Sequence, residues 1–187
     1  MLPVTFETKK EKPDSVAMIV VLDKSGSMGG QKIEMTKEAA KAPLALLKDT
    51  DSFGVVAFDY NFYWPVKFQL ASNRTAITQA ISTIIAGGET NIYPALREAY
   101  IQLAGSTNQV KHVILLSDGR SLPDDFDGRV ASRLVPCRWH YVSVINAAVE
   151  FCQSNLSGLP QVFSARPVKD CLLAVQEIVL HVRAYVF

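Results

Sequence analysis

Apolar residues in this chain gather into short runs divided by polar loops, and the runs are of two kinds. Val16 to Leu22 is an unbroken, valine-rich apolar stretch. A run of that length without a polar face predicts a strand covered on both sides. Ser52 to Phe58 and His112 to Leu116 predict two more buried strands. Phe62 to Phe68 contains Pro65, which removes a ladder donor and predicts an edge strand. Further strands are expected near His140 to Ile145 and at Gln161 to Ser164.

The second kind of run repeats at helical spacing. From about Lys32, one face carries Ile33, Ala40, Leu44 and Leu47, with Lys37 interrupting it. The opposite face carries Met35, Ala39, Ala42 and Leu46, so this helix is expected to lie wedged between the sheet and a neighbour. Pro43 should kink or interrupt it. Asn73 is placed to cap a helix whose pairs Ala76/Ile77, Ala80/Ile81 and Ile84/Ile85 recur every four residues. Gly87 to Asn91 reads as a turn. Pro94 fits the first turn of another helix, carrying Leu96, Ala99, Tyr100 and Leu103 and stopped by Gly105. Helices are also expected near Phe126 to Leu134 and from about Val168.

Strands alternating with helices of this length predict an α/β fold. The sheet should be doubly wound, mostly parallel and Rossmann-like, with helices on both faces and one antiparallel edge strand. Residues 1–15 read as an N-terminal strand and a charged connector, and residues 16–187 as the domain itself. The apolar, strand-like pattern from Ile178 to Phe187 runs to the last residue, so a longer natural protein is expected.

Composition narrows the class. Of 187 residues, 49% are hydrophobic and 20% charged, enough for one sizeable core. The net charge of +1 provides no electrostatic reason to expect nucleic acid or an anionic membrane as a partner. No apolar run approaches a membrane-spanning length. Cys137, Cys152 and Cys171 lack metal-type spacing and read as small buried hydrophobes. His112, His140 and His181 are scattered and read as structural. Asp124, Asp125 and Asp127 read as a solvated loop with a helix cap.

The candidate chemistry lies in three loops. In an open parallel sheet the binding crevice lies beyond the carboxyl ends of the strands. Asp23-Lys-Ser-Gly-Ser27 follows the strongest strand directly. Thr90 lies in the Gly-rich turn before a helix, and Asp118 follows the strand ending Ile114-Leu-Leu116. Asp23, Ser25, Ser27, Thr90 and Asp118 offer two carboxylates and three hydroxyls, the ligand set of a hard cation. Two acids and weakly binding hydroxyls do not fill an octahedral shell, so water or an outside carboxylate must complete it. Magnesium suits this better than calcium, with manganese as a substitute.

These residues resemble the metal ion-dependent adhesion site of von Willebrand factor type A domains. The shared pattern is Asp23-x-Ser25-x-Ser27, a distant Thr90, then an apolar strand ending in Asp118-Gly119. The likeness spans roughly residues 16–175. It is greatest to bacterial members, through Val21-Leu-Asp-Lys-Ser-Gly-Ser-Met28 and Thr90-Asn-Ile-Tyr-Pro-Ala-Leu96. It implies that Ser25, Ser27 and Thr90 touch the metal directly, while Asp23 and Asp118 act through metal-bound waters. It implies a binding module rather than an enzyme, whose metal accepts an Asp or Glu from another protein. Bacterial members occur both at the envelope and inside cells, so the compartment stays open, with the cell envelope slightly favoured over the cytoplasm. Glu89, where many family members have glycine, and the region from about Cys137 to Pro160 depart from the pattern. Lys24 reads as a solvated rim residue, and Tyr60, Phe62, Tyr63 and Trp64 as an aromatic cluster at the sheet edge.

A competing reading is a haloacid dehalogenase-like, magnesium-dependent phosphohydrolase with Asp23 as nucleophile. Such enzymes need a second acid two residues on, where this chain has Ser25. A phosphate loop fails on spacing, because Gln31 stands where its second glycine belongs.

Overall fold

The central strand, β1 (Val16–Asp23), is buried along its whole length, and everything else is arranged around it. A computed structural model of the chain describes residues 15–118, the backbone of residues 138–143, and residues 175, 176 and 180. β1 pairs in parallel with β2 (Ser52–Phe58) on one side and β4 (Val110–Ser117) on the other. β3 (Phe62–Leu70) adds antiparallel to β2, and β5 (Arg138–Ser143) adds parallel to β4. The five-stranded order is β3-β2-β1-β4-β5. β3 is therefore the antiparallel edge strand that Pro65 predicts. β5 begins two residues before the stretch expected from the sequence.

Side chains alternate across a strand, so the unbroken apolar run of β1 supplies two cores at once. Val16, Met18, Val20 and Leu22 join Phe53, Val55, Ile114 and Leu116 on one face, under Ile33, Ala40, Ile77 and Ile81. Ala17, Ile19 and Val21 join Val56, Phe58, Val113 and Leu115 on the other, under Leu96, Ala99, Tyr100 and Leu103. Thus α1 (Gln31–Lys41) and α2 (Arg74–Ser82) cover one face and α3 (Ile92–Ala104) the other. Gly54 makes room for this packing: a Cβ there would meet the Trp64 ring at 3.0 Å and the Phe68 backbone at 3.1 Å.

Local chemistry explains where the elements end. α1 stops at Lys41 and continues as a short 3-10 turn, Ala42–Ala45, that contains Pro43. Pro43 interrupts the helix as its missing N–H requires. Asn73 caps α2 by accepting from the Ala76 N–H. The fourth-residue apolar repeat outlasts the helix: Ile84 is buried beyond its end while Ile85 is 79% exposed.

Residues 1–14, the cysteines, the helix expected near Phe126 to Leu134 and the strand at Gln161 to Ser164 lie outside the described residues. Among the described residues, no helix is long and apolar enough to cross a membrane.

Candidate metal centre

The strand order reverses beside β1, since β2 and β3 build outward on one side and β4 and β5 on the other. A crevice beyond the carboxyl ends of the strands is expected at such a switch point. The candidate ligands gather at that edge.

Asp23 is the last residue of β1 and is fully buried. Its Oδ1 accepts the Ser25 N–H at 2.8 Å, and its Oδ2 accepts the Ser117 hydroxyl at 2.7 Å. The Ser25 and Ser27 hydroxyls lie 3.1 Å apart, with Ser25 buried and Ser27 exposed. Asp118, immediately after β4, is also buried. Its Oδ2 accepts from the Lys32 ammonium at 3.0 Å, while its Oδ1 is buried and has no hydrogen-bond partner among the described residues.

Burial pushes the Asp23 carboxyl above the ordinary carboxylate range. Hydrogen bonds from Ser117 and Ser25 pull it back in part, and the nearby charge of Asp118 pushes it further up. The two acids thus repel one another in a place where water cannot screen them well.

Thr90 arrives from a different loop, and backbone hydrogen bonds bring that loop in. The Gly26 N–H donates to the Gly88 carbonyl at 2.9 Å, and the Gly87 N–H to the Lys24 carbonyl at 2.7 Å. Asn91 N–H donates to the Asp59 carbonyl at 2.7 Å. Gly88 has φ +86°, and a Cβ there would meet the Asp59 carboxylate group at 3.0–3.2 Å. Glycine is therefore needed at this point both for its backbone conformation and for space. The cap position of α3 falls on Asn91, not Thr90. The half-buried Thr90 makes no side-chain hydrogen bond among the described residues.

Two of these contributors escape a reading of the sequence. Lys24 is not a solvated rim residue: it ion-pairs with Asp59 and reaches the Gly87 carbonyl at 3.5 Å. Burial raises the Asp59 carboxyl, but bonds from Lys24 and the Asn61 N–H outweigh it and hold Asp59 below its usual range. Lys32 is the other. Only the fold reveals that it meets Asp118, 86 positions further along the chain.

The aromatic cluster divides. Trp64 packs on the α3-side core, whereas Tyr60, Phe62 and Tyr63 are exposed. Glu89 is exposed in the turn before Thr90.

The described residues contain no group of three or more His, Cys, Asp or Glu suited to a metal. Any cation here must rely on two carboxylates plus hydroxyls. The donor set fits one: it is all oxygen, it holds two repelling acids, and one buried carboxylate oxygen lacks a partner among the described residues.

A family profile described as "von Willebrand factor type A domain" matches residues 18–120, over half the chain. The chain belongs to this family. Type A domains are typically metal-dependent adhesion or protein-interaction modules, and generally not enzymes. Among curated relatives, an uncharacterized protein of Synechocystis sp. is 36% identical over 121 residues, covering 62% of this chain and 29% of that protein. Inter-alpha-trypsin inhibitor heavy chain H2 of Mesocricetus auratus is 36% identical over 124 residues, covering 61% of this chain and 13% of the relative. The chain thus matches less than a third of the length of either. Among solved structures, a von Willebrand factor type A protein from Catenulispora acidiphila superposes with TM-score 0.77 at 23% identity, covering 91% of this chain and 43% of that one. The corresponding domain of the type V pili tip protein Mfa5 from Porphyromonas gingivalis gives TM-score 0.72 at 14% identity, covering 95% and 99%. These two likenesses establish the fold.

The phosphohydrolase reading finds no support. In this type A domain both oxygens of Asp23 are engaged by neutral donors and the side chain is fully buried, so it is poorly placed to attack a phosphoryl group.

Proposed function

We propose that this domain binds one divalent cation, magnesium with manganese or calcium as substitutes, and uses it to capture an acidic side chain of a partner protein. Ser25, Ser27 and Thr90 would supply hydroxyl ligands. Asp23 and Asp118 would act through hydrogen bonds to metal-bound water. The observation that carries this reading is the buried Oδ1 of Asp118, unpartnered among the described residues, beside a second carboxylate that burial already destabilises. An unpaired buried carboxylate oxygen is costly, and a hydrated cation is the simplest group to satisfy it.

A hard cation supplies an open coordination position for an anionic oxygen. The chain's own residues do the rest. Asp23 orients the Ser25–Ser27 loop through the Ser25 N–H, and Ser117 ties Asp23 to the end of β4. The Gly26–Gly88 and Gly87–Lys24 bonds hold the Thr90 loop against that frame. Hydroxyl ligands are neutral, so in this arrangement the ion touches no carboxylate of the chain directly, which favours one from outside. An envelope or extracellular setting belongs to the same proposal, supported by the pilus tip domain that shares the fold.

Calorimetric titration tests the reading. Magnesium should bind at millimolar or lower concentration, and Asp118→Ala should abolish that binding while leaving the domain folded. Unchanged affinity in Asp118→Ala would remove the site.

A further inference from the structure

Lys32 is the second residue of α1, and its ammonium makes two hydrogen bonds at the candidate centre. One goes to Asp118 Oδ2 and the other to the Ser27 carbonyl, each at 3.0 Å. The side chain of Asp118 is 1% exposed and that of Lys32 31%. Asp23 is hydrogen-bonded by neutral groups, Ser25 N–H and the Ser117 hydroxyl. Lys24, the other basic side chain nearby, is occupied by Asp59 and Gly87. Among the described residues, Lys32 is therefore the one cationic side chain bonded to the five-residue oxygen set.

Its presence changes the charge of the centre. With Asp23 and Asp118 ionised, the two acids contribute minus two and Lys32 plus one, a sum of minus one. A divalent ion would bring that to plus one. Without Lys32 the same loaded centre would be neutral. One ammonium thus weakens the pull on the cation and leaves one positive charge to be matched by one incoming carboxylate.

We propose that Lys32 is a positioning and charge-setting residue that divides the affinity of the centre between metal and partner. It holds one oxygen of Asp118, leaves the other for the cation or its water, and lowers the affinity for the cation while raising that of the loaded centre for an acidic side chain. The centre then selects an anionic side chain over a neutral one of the same shape. This rests on the cation-binding reading above.

The test compares the wild-type domain with Lys32→Met and Lys32→Arg. Manganese affinity is measured by calorimetry, and acetate binding to the manganese-loaded domain by broadening of the acetate methyl proton resonance. Lys32→Met should tighten manganese by about fivefold or more, the lower figure being one unit charge several ångströms away in hydrated surroundings. It should weaken acetate by a comparable factor. Lys32→Arg, which keeps the charge, should stay near wild type in both. A merely structural lysine would move both affinities in one direction. Parallel losses, or no change in either, therefore overturn the proposal while leaving the cation site standing. A wild-type domain that binds no manganese overturns both together.

Discussion

Asp23 shows how burial and function pull against each other in one side chain. Its carboxyl is pushed above 3.8, its ordinary value, chiefly by desolvation. The folded metal-free protein therefore holds a proton that the unfolded chain has already released. Stability falls as pH rises from the unfolded value through the raised folded one, and the cost is complete above it. Asp59 acts with the opposite sign: its lowered carboxyl contributes stability that is lost as pH falls through a value below 3.8. The two windows lie on opposite sides of the ordinary carboxylate value, so they can be separated. In chelator, Asp23→Asn should flatten the decline in urea midpoint above pH ~4 and leave the acid limb alone. An unaltered slope would mean that Asp23 titrates normally.

Lys37 illustrates what the elements demand of one another. From the pattern of apolar positions it is an interruption in the buried stripe of α1. In the fold it has a specific task. Its ammonium donates to the Ser82 and Ile84 carbonyls, each at 3.3 Å, where α2 ends, and pairs with Glu34. Carbonyls at a helix end have no intrahelical partner and need another donor when buried. Lys37→Met keeps the apolar stem but strands those carbonyls. It should cost roughly 1–3 kcal/mol in urea unfolding. The Lys37 ammonium bonds none of the five candidate ligands, so metal affinity should change far less than stability. A neutral or stabilising effect would show that water readily replaces the ammonium.

Across the whole molecule, the candidate centre joins the carboxyl ends of β1 and β4 with the loops before α1 and α3. A cation held there bridges segments that separate on unfolding, so it should stabilise the fold by mass action. At a hundredfold excess over its dissociation constant the gain is about 2.7 kcal/mol. Magnesium should therefore raise the melting temperature in a concentration-dependent way, chelator should reverse it, and Asp118→Ala should abolish it. A melting temperature indifferent to magnesium in the wild type would contradict a cation linking these strands.

Much of this protein could be read from its residues in order, because the signals concerned are local. An uninterrupted apolar run has one economical solution, a strand with two covered faces, and β1 is that strand. Pro65, Asn73 and Pro43 act through their own backbone or side chain, so edge strand, cap and helix end follow from their identity alone. Asp23, Ser25, Ser27, Thr90 and Asp118 could be put forward as ligands from the sequence because their residue types suit a hard cation, and the fold brings Asp23, the Ser25–Ser27 loop and Asp118 to the ends of β1 and β4.

Other features depended on contacts between segments far apart in sequence. Lys24 and Lys32 look like charged residues beside a polar loop, and Lys37 like a break in an apolar stripe. Their partners, Asp59, Asp118 and the Ser82 and Ile84 carbonyls at the end of α2, lie 35, 86 and 45–47 positions away. Only tertiary structure assigned one lysine to bracing a loop, one to holding Asp118 and one to capping a helix. Long-range electrostatics is decided by which segments meet, and sequence order does not record that.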